Sequence, residues 1–296
     1  MATSKLKARE PEEVQPGHSK MIIFGPSGVG KTWFGLSFPK PYYMDTEGGA
    51  DLKHYQARLK EAGGAYMGPS DGTLDFQTVL SEIQTLATES HPYKTLIIDS
   101  ITKLYQTAVS NEAEKLGDKD AFGASKKPAI AFMRRLVAWI DKLDMNVVLI
   151  AHEASEWGLV NGQRSEVGKE PDVWNKLIYE IDLGLHCQKR GPQRVAVVRK
   201  SRLTGFPEGE SFNLEFADFA SRYGKDFIEA EAKPISLATA EQLAEIAGLL
   251  ETVRVDEDFI DKCLKKFSAE TLPEVNETQA NAIITALRKK LPTPTK

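Results

Sequence analysis

Short, wholly apolar runs alternate along the first half of the chain with stretches of helical period. Met21-Ile22-Ile23-Phe24, Tyr42-Tyr43-Met44, Thr95-Leu96-Ile97-Ile98 and Val147-Val148-Leu149-Ile150 each end in a polar or glycine-rich turn. A strand that is apolar on both faces belongs in a parallel sheet covered by helices. Between these runs, Phe76, Val79, Leu80, Ile83 and Leu86 repeat on one face of a helix expected over about 74–87, and a long helix is expected near 129–143. A further helix, from Thr32 to Phe38, should stop at Pro39. The alternation predicts an α/β fold with a mostly parallel central sheet, in which ligands bind beyond the carboxyl ends of the strands.

After about residue 154 the pattern changes. Residues 154–172 are polar and carry Gly158, Gly162 and Gly168, which predicts a long mobile loop. Strands resume near Ile181–Leu185, Arg194–Val198 and Ser211–Glu215. A linker around Ala230–Pro234 leads to three amphipathic segments. Thr239 with Gln242, and Asn276 with Gln279, have capping-box spacing at the starts of the first and third. The expected division is a disordered tail over 1–19, an α/β core over 20–232 and a small all-α domain over 233–296. The tail is charged and carries Pro11 and Pro16.

Composition narrows the classes. The chain has 296 residues and a net charge of −4, which excludes a strongly basic, histone-like binder. Its two cysteines, Cys187 and Cys263, have neither metal-ligand spacing nor a disulfide framework, so a reducing cytoplasmic setting is expected. No apolar run approaches the roughly 20 residues of a membrane span, and no membrane partner is expected.

The chemistry concentrates at the strand ends. Gly25-Pro26-Ser27-Gly28-Val29-Gly30-Lys31-Thr32 fits G-x-x-x-x-G-K-[ST] between a strand and a helix. Its glycines let backbone N–H groups turn toward phosphate oxygens. Lys31 reaches the β- and γ-phosphates of ATP, and the Thr32 hydroxyl binds Mg²⁺. Asp99 ends an apolar strand, where a carboxylate holds Mg²⁺ through water. Glu47 ends another strand on the same edge, placed either to activate a water or simply to be solvated in the Gly48-Gly49 turn.

Tyr43-Met44-Asp45-Thr46-Glu47-Gly48 and Leu96-Ile97-Ile98-Asp99-Ser100 resemble segments of the RecA/RadA recombinase superfamily. Over about residues 20–220 the chain is most similar to phage core-only ATPases of recombination and single-strand annealing. The resemblance implies a RecA-like P-loop ATPase core, with Glu47 as catalytic base. His152 stands where the family has a polar residue, typically glutamine, that senses the γ-phosphate. Residues 154–172 take the place of a DNA loop, with Trp157 to stack on bases and Arg164 and Lys169 to meet phosphates. Residues 116–127, with Lys126 and Lys127, take the place of another. Val198-Arg199-Lys200-Ser201-Arg202 resembles a basic strand whose cations serve a neighbouring subunit's ATP, which picks out Lys200 and Arg202. The family's extra N-terminal DNA-binding domain and its N-terminal polymerisation helix have no counterpart in the sequence.

These features together imply a Mg²⁺–ATP-dependent single-stranded-DNA-binding ATPase that assembles as a filament or ring. It would promote pairing or annealing, with a phage or host recombination or single-strand-binding protein as a further partner, in the host cytoplasm if phage-encoded. A nucleotide switch acting on a protein partner and a ring helicase-like motor are the alternatives.

Overall fold

The structure is a computed structural model that describes residues 17–120 and 123–291. The expected tail therefore lies, up to residue 16, outside the described residues. In chain order the core comprises β1 (Lys20–Phe24), α1 (Lys31–Gly35), β2 (Pro41–Asp45), α2 (Lys53–Ala62), β3 (Ala65–Met67), α3 (Phe76–Thr88), β4 (Thr95–Asp99), α4 (Ile101–Leu116), α5 (Lys126–Lys142) and β5 (Asn146–Ala151). Then come β6 (Glu153–Val160), β7 (Gln163–Pro171), α6 (Leu177–Glu180), β8 (Leu183–Arg190), β9 (Gln193–Ser201), β10 (Ser211–Asn213), α7 (Phe216–Tyr223) and α8 (Lys225–Glu229). The chain ends in α9 (Ala240–Thr252), α10 (Phe259–Lys266) and α11 (Glu277–Arg288).

Eight strands form one sheet in the order β10-β9-β8-β1-β5-β4-β2-β3. Every pairing from β8 to β3 is parallel, and only β9 runs against its neighbours. The mostly parallel α/β class expected from the apolar runs is the class observed. Strand periodicity sorts the core. Ile22, Phe24, Met44, Leu96, Ile98, Val147 and Leu149 face the layer that includes α3, α4 and α5. Met21, Ile23, Tyr43, Ile97, Val148 and Ile150 face the other layer, where Phe34, Phe38, Phe206 and Phe219 pack edge-on or tilted. Both faces are sealed, so chemistry is left to the strand ends.

The structure corrects several local expectations. The polar stretch after residue 153 is an antiparallel ribbon of β6 and β7, not a loop. Its turn is Asn161-Gly162, with φ of 52° and 80°, the geometry of a type I′ hairpin. The first helix is shorter than Thr32–Phe38, because α1 ends at Gly35 and the next residues are turns. Helices α2 and α4 and strand β3 were not anticipated. Helix α2 buries only Leu59, so its sequence carries little stripe.

Helices α9 to α11 enclose their own apolar cluster around Ile246, Leu264, Val275, Ile283 and Leu287. The capping boxes at Thr239 and Asn276 both form. Arg135 on α5 meets this unit through ion pairs to Glu270 and, at 2.7 Å, to Glu274. Among the described residues no helix is long and apolar enough to cross a membrane.

Candidate active site

Strand β1 delivers the chain into a tight loop at the centre of the sheet's carboxyl edge. Gly25, Gly28 and Gly30 take φ values of 153°, 68° and 102°, which side chains disfavour. A Cβ on Gly25 would lie 2.3 Å from the Cys187 carbonyl oxygen, so the first glycine is dictated by the neighbouring strand β8. Pro26 and Ser27 form the exposed crest of the loop, and Val29 is buried beneath it. Lys31 Nζ donates to the carbonyls of Gly25 at 2.6 Å and Pro26 at 3.0 Å. The lysine ammonium thus lies inside the curl of the loop, and burial lowers its pKa.

Strand β4 runs beside β2 and brings Asp99 to the same edge. Thr32 Oγ1 donates to Asp99 Oδ2 at 2.6 Å, and the Tyr43 hydroxyl donates to the same oxygen at 3.3 Å. Burial and the Asp99 charge keep the Tyr43 hydroxyl protonated, as a donor must be. Burial pushes the Asp99 carboxyl up to about 6. The Thr32 hydrogen bond opposes that rise, and the charges of Glu47 and Asp45 add to it. An Asp that is buried, close to other carboxylates and touching a threonine hydroxyl suits a cation.

Asp45 itself is spent on structure. Its carboxylate accepts from the N–H groups of Glu47, Gly48 and Ala50 at 2.9, 3.1 and 2.6 Å, which shapes the turn that presents Glu47. Glu47 Oε1 accepts from Ser100 Oγ at 2.6 Å and lies 2.6 Å from His152 Nε2. Side chains that follow three different strands, β2, β4 and β5, therefore meet at Glu47. A cleft of about 360 Å³ runs along them, lined by the loop, Asp99, Glu47 and His152. Trp33, Leu52 and Tyr55 also line it and offer apolar surfaces against which a nucleobase can lie. Sequence reasoning missed these three, although Trp33 directly follows Thr32.

A protein-family model described as an AAA domain matches residues 18–204, which is more than half of the chain and encloses the loop, Asp99, Glu47 and His152. The chain belongs to the AAA domain family. No curated protein matches it. One similar solved structure is described as a prototypical ATPase from the type III secretion system of pathogenic bacteria. It is 13% identical, with 99% of this chain and 94% of that chain covered and a TM-score of 0.39.

This AAA-domain protein is a P-loop ATPase built on a mostly parallel α/β sheet. Its residues fit the groups that class uses. Among the described residues no cluster of three or more His, Cys, Asp or Glu could hold a metal ion by itself. Mg²⁺ does not need one, because it takes one or two protein ligands together with substrate phosphates and water. Thr32 and Asp99 are the residues that would hold it, and the bound ion would neutralise phosphate charge.

The other candidates in the AAA-domain protein lie away from the cleft. Lys200 donates to the Ile181 carbonyl, and Arg202 donates to the Tyr179 carbonyl at 2.6 Å and faces Asp182 at 3.4 Å. Lys126 and Lys127 are exposed in the first turn of α5. On the ribbon, Trp157 is half exposed, with the Arg164 guanidinium 5.4 Å from its ring centroid. Lys169 is paired with Glu166 at 2.7 Å and bonded to Ser155.

Proposed function

We propose that this ATPase uses Mg²⁺–ATP to bind single-stranded DNA and to promote pairing or annealing of complementary strands, in an assembly of like subunits. The observation that carries the reading is the β6–β7 ribbon. It leaves the sheet directly after His152, the residue whose ring holds Glu47. Its outer half presents Trp157 stacked beneath Arg164, an aromatic face and a cation in one place. That pairing suits a base and its phosphate whatever the sequence. Lys126 and Lys127 add exposed positive charge at the start of α5, a helix that leads down into β5 from the same sheet edge.

In this reading Glu47 takes the proton of the attacking water, Lys31 and the loop hold the phosphates, and His152 reports their state to the ribbon. Lys200 and Arg202 would serve the site of a neighbouring subunit, so turnover would depend on assembly. A phage or host recombination protein is the further partner that such a reaction calls for.

The test is ATP hydrolysis by wild type and by Glu47→Gln, with and without a single-stranded oligonucleotide. DNA should raise the wild-type rate. Glu47→Gln should lower turnover by about 10²- to 10⁴-fold while retaining ATP and DNA binding. If DNA neither binds nor changes the rate, the reading is wrong. The exposed Leu159 and Val167 of the ribbon would then argue for a protein partner.

A further inference from the structure

We infer that Lys189 and Arg194 form a basic wall of the nucleotide site in the same chain, and that their cations bind the polyphosphate of a nucleoside di- or triphosphate. The inference rests on the ATPase reading of the site and adds residues to it. The sheet order divides the site into two sides. The carboxylates Asp45, Glu47 and Asp99 all come from β2, β4 and their ends, on one side of β1. On the other side β8 pairs directly with β1, and β9 with β8. The β8–β9 hairpin reaches over the phosphate loop from there. Lys189 Nζ lies 3.9 Å from where a Cβ of Gly28 would be. Arg194 covers Gly30, with Cδ at 3.1 Å and Nε at 3.5 Å from where that residue's Cβ would be.

Lys189 and Arg194 are also direct cross-strand partners. Residues paired this way share one face of the sheet, and two like charges so placed repel each other. Among the described residues neither makes an ion pair. The contrast with the neighbouring cations is sharp: Arg199 on the same strand is paired with Glu156, and Arg202, just past its end, with Asp182. A pair of uncompensated cations beside a phosphate-binding loop relieves its repulsion when a polyanion lies against both. Lys200 and Arg202 cannot do this in the same chain. Lys200 is six residues along β9 from Arg194, which places it about 20 Å toward the opposite edge of the sheet.

The experiment compares binding of Mg²⁺–ATP, Mg²⁺–ADP and adenosine to wild type, Lys189→Ala, Arg194→Ala, Lys189→Arg and Lys31→Ala. Both side chains are exposed, so unchanged circular dichroism and melting temperature should accompany the alanine variants. Each alanine variant should weaken ATP and ADP by about 5- to 30-fold, a screened charge-assisted contact. Adenosine binding should not change, Lys189→Arg should keep most of the affinity that Lys189→Ala loses, and a variant combining Lys189→Ala with Arg194→Ala should flatten the salt dependence. Unchanged ATP and ADP binding in both alanine variants, with Lys31→Ala still defective, overturns the inference and leaves the ATPase site intact. An equal loss for adenosine also overturns it, because the effect would then be structural. A wild type that binds no nucleotide would overturn the site reading together with the inference.

Discussion

The most quantitative consequence of the site is that Asp99 costs the free protein stability. Burial raises the carboxyl from 3.8 to about 6. At 1.36 kcal/mol per unit, a rise of about 2 units means that ionised Asp99 destabilises the folded chain by about 3 kcal/mol at neutral pH. The folded carboxyl binds its proton more tightly than the unfolded one. The wild type keeps that advantage below the unfolded value near 4, and loses it as the pH rises through about 6. Asp99→Asn keeps an oxygen to accept from Thr32 Oγ1 and Tyr43 OH and removes the charge. Its stability relative to wild type should therefore climb between pH 4 and 7 by about 3 kcal/mol, or about 5 °C of melting temperature for a chain of this size. Thermal unfolding of both proteins across that range, with chelator and without nucleotide, gives the difference directly. The amide's own hydrogen bonding adds an offset that does not titrate, so the slope isolates the charge. A difference that stays flat with pH, or one that falls, refutes the reasoning. Added Mg²⁺ and ATP should stabilise wild type and do far less for the variant.

Two further predictions follow from the loop and the ribbon. Gly25→Ala forces a Cβ to within 2.3 Å of a backbone carbonyl at a φ of 153°, so it should cost more than about 3 kcal/mol in chemical denaturation or abolish nucleotide binding outright. Trp157→Ala should weaken binding of a fluorescent single-stranded oligonucleotide by about 1–3 kcal/mol. It should leave the protein's melting temperature unchanged, because the ring is half exposed; unchanged oligonucleotide affinity would remove Trp157 from the DNA reading.

What the sequence made legible is what it carries contiguously. The loop from Gly25 to Thr32 is one uninterrupted stretch, and Asp99 follows an apolar run without a gap. The reason Gly25 must be glycine was hidden, because the clash is with Cys187, far along the chain. Residues 154–172 were misread because the strands of a free ribbon have no buried face to impose alternation. The Asn161-Gly162 hairpin signal was nevertheless present. The basic run from Lys189 to Arg202 was legible as charge only. Which of its cations face the loop depends on the β8–β9 register, which sets Lys189 opposite Arg194 near the turn and carries Lys200 to the far end.

His152 ties the root of the ribbon to the Glu47 carboxylate. Its backbone N–H donates to Thr102 Oγ1, its carbonyl accepts from Asp172 N–H where the ribbon returns, and its ring holds Glu47. A second tether reinforces the root: Glu153, the next residue, is 3.0 Å from the buried His186, whose ring stacks on Phe24 just before the phosphate loop. A load on the ribbon thus has two routes into the site, one to the Glu47 carboxylate and one to the phosphate loop. A histidine can serve the first route, because an Nε2–H can donate to the Glu47 carboxylate. In the proposed reading, a ribbon that draws His152 away removes one of the two hydrogen bonds on Glu47 Oε1. Coupling between what the ribbon holds and the rate of hydrolysis then requires no movement larger than the loss of one hydrogen bond.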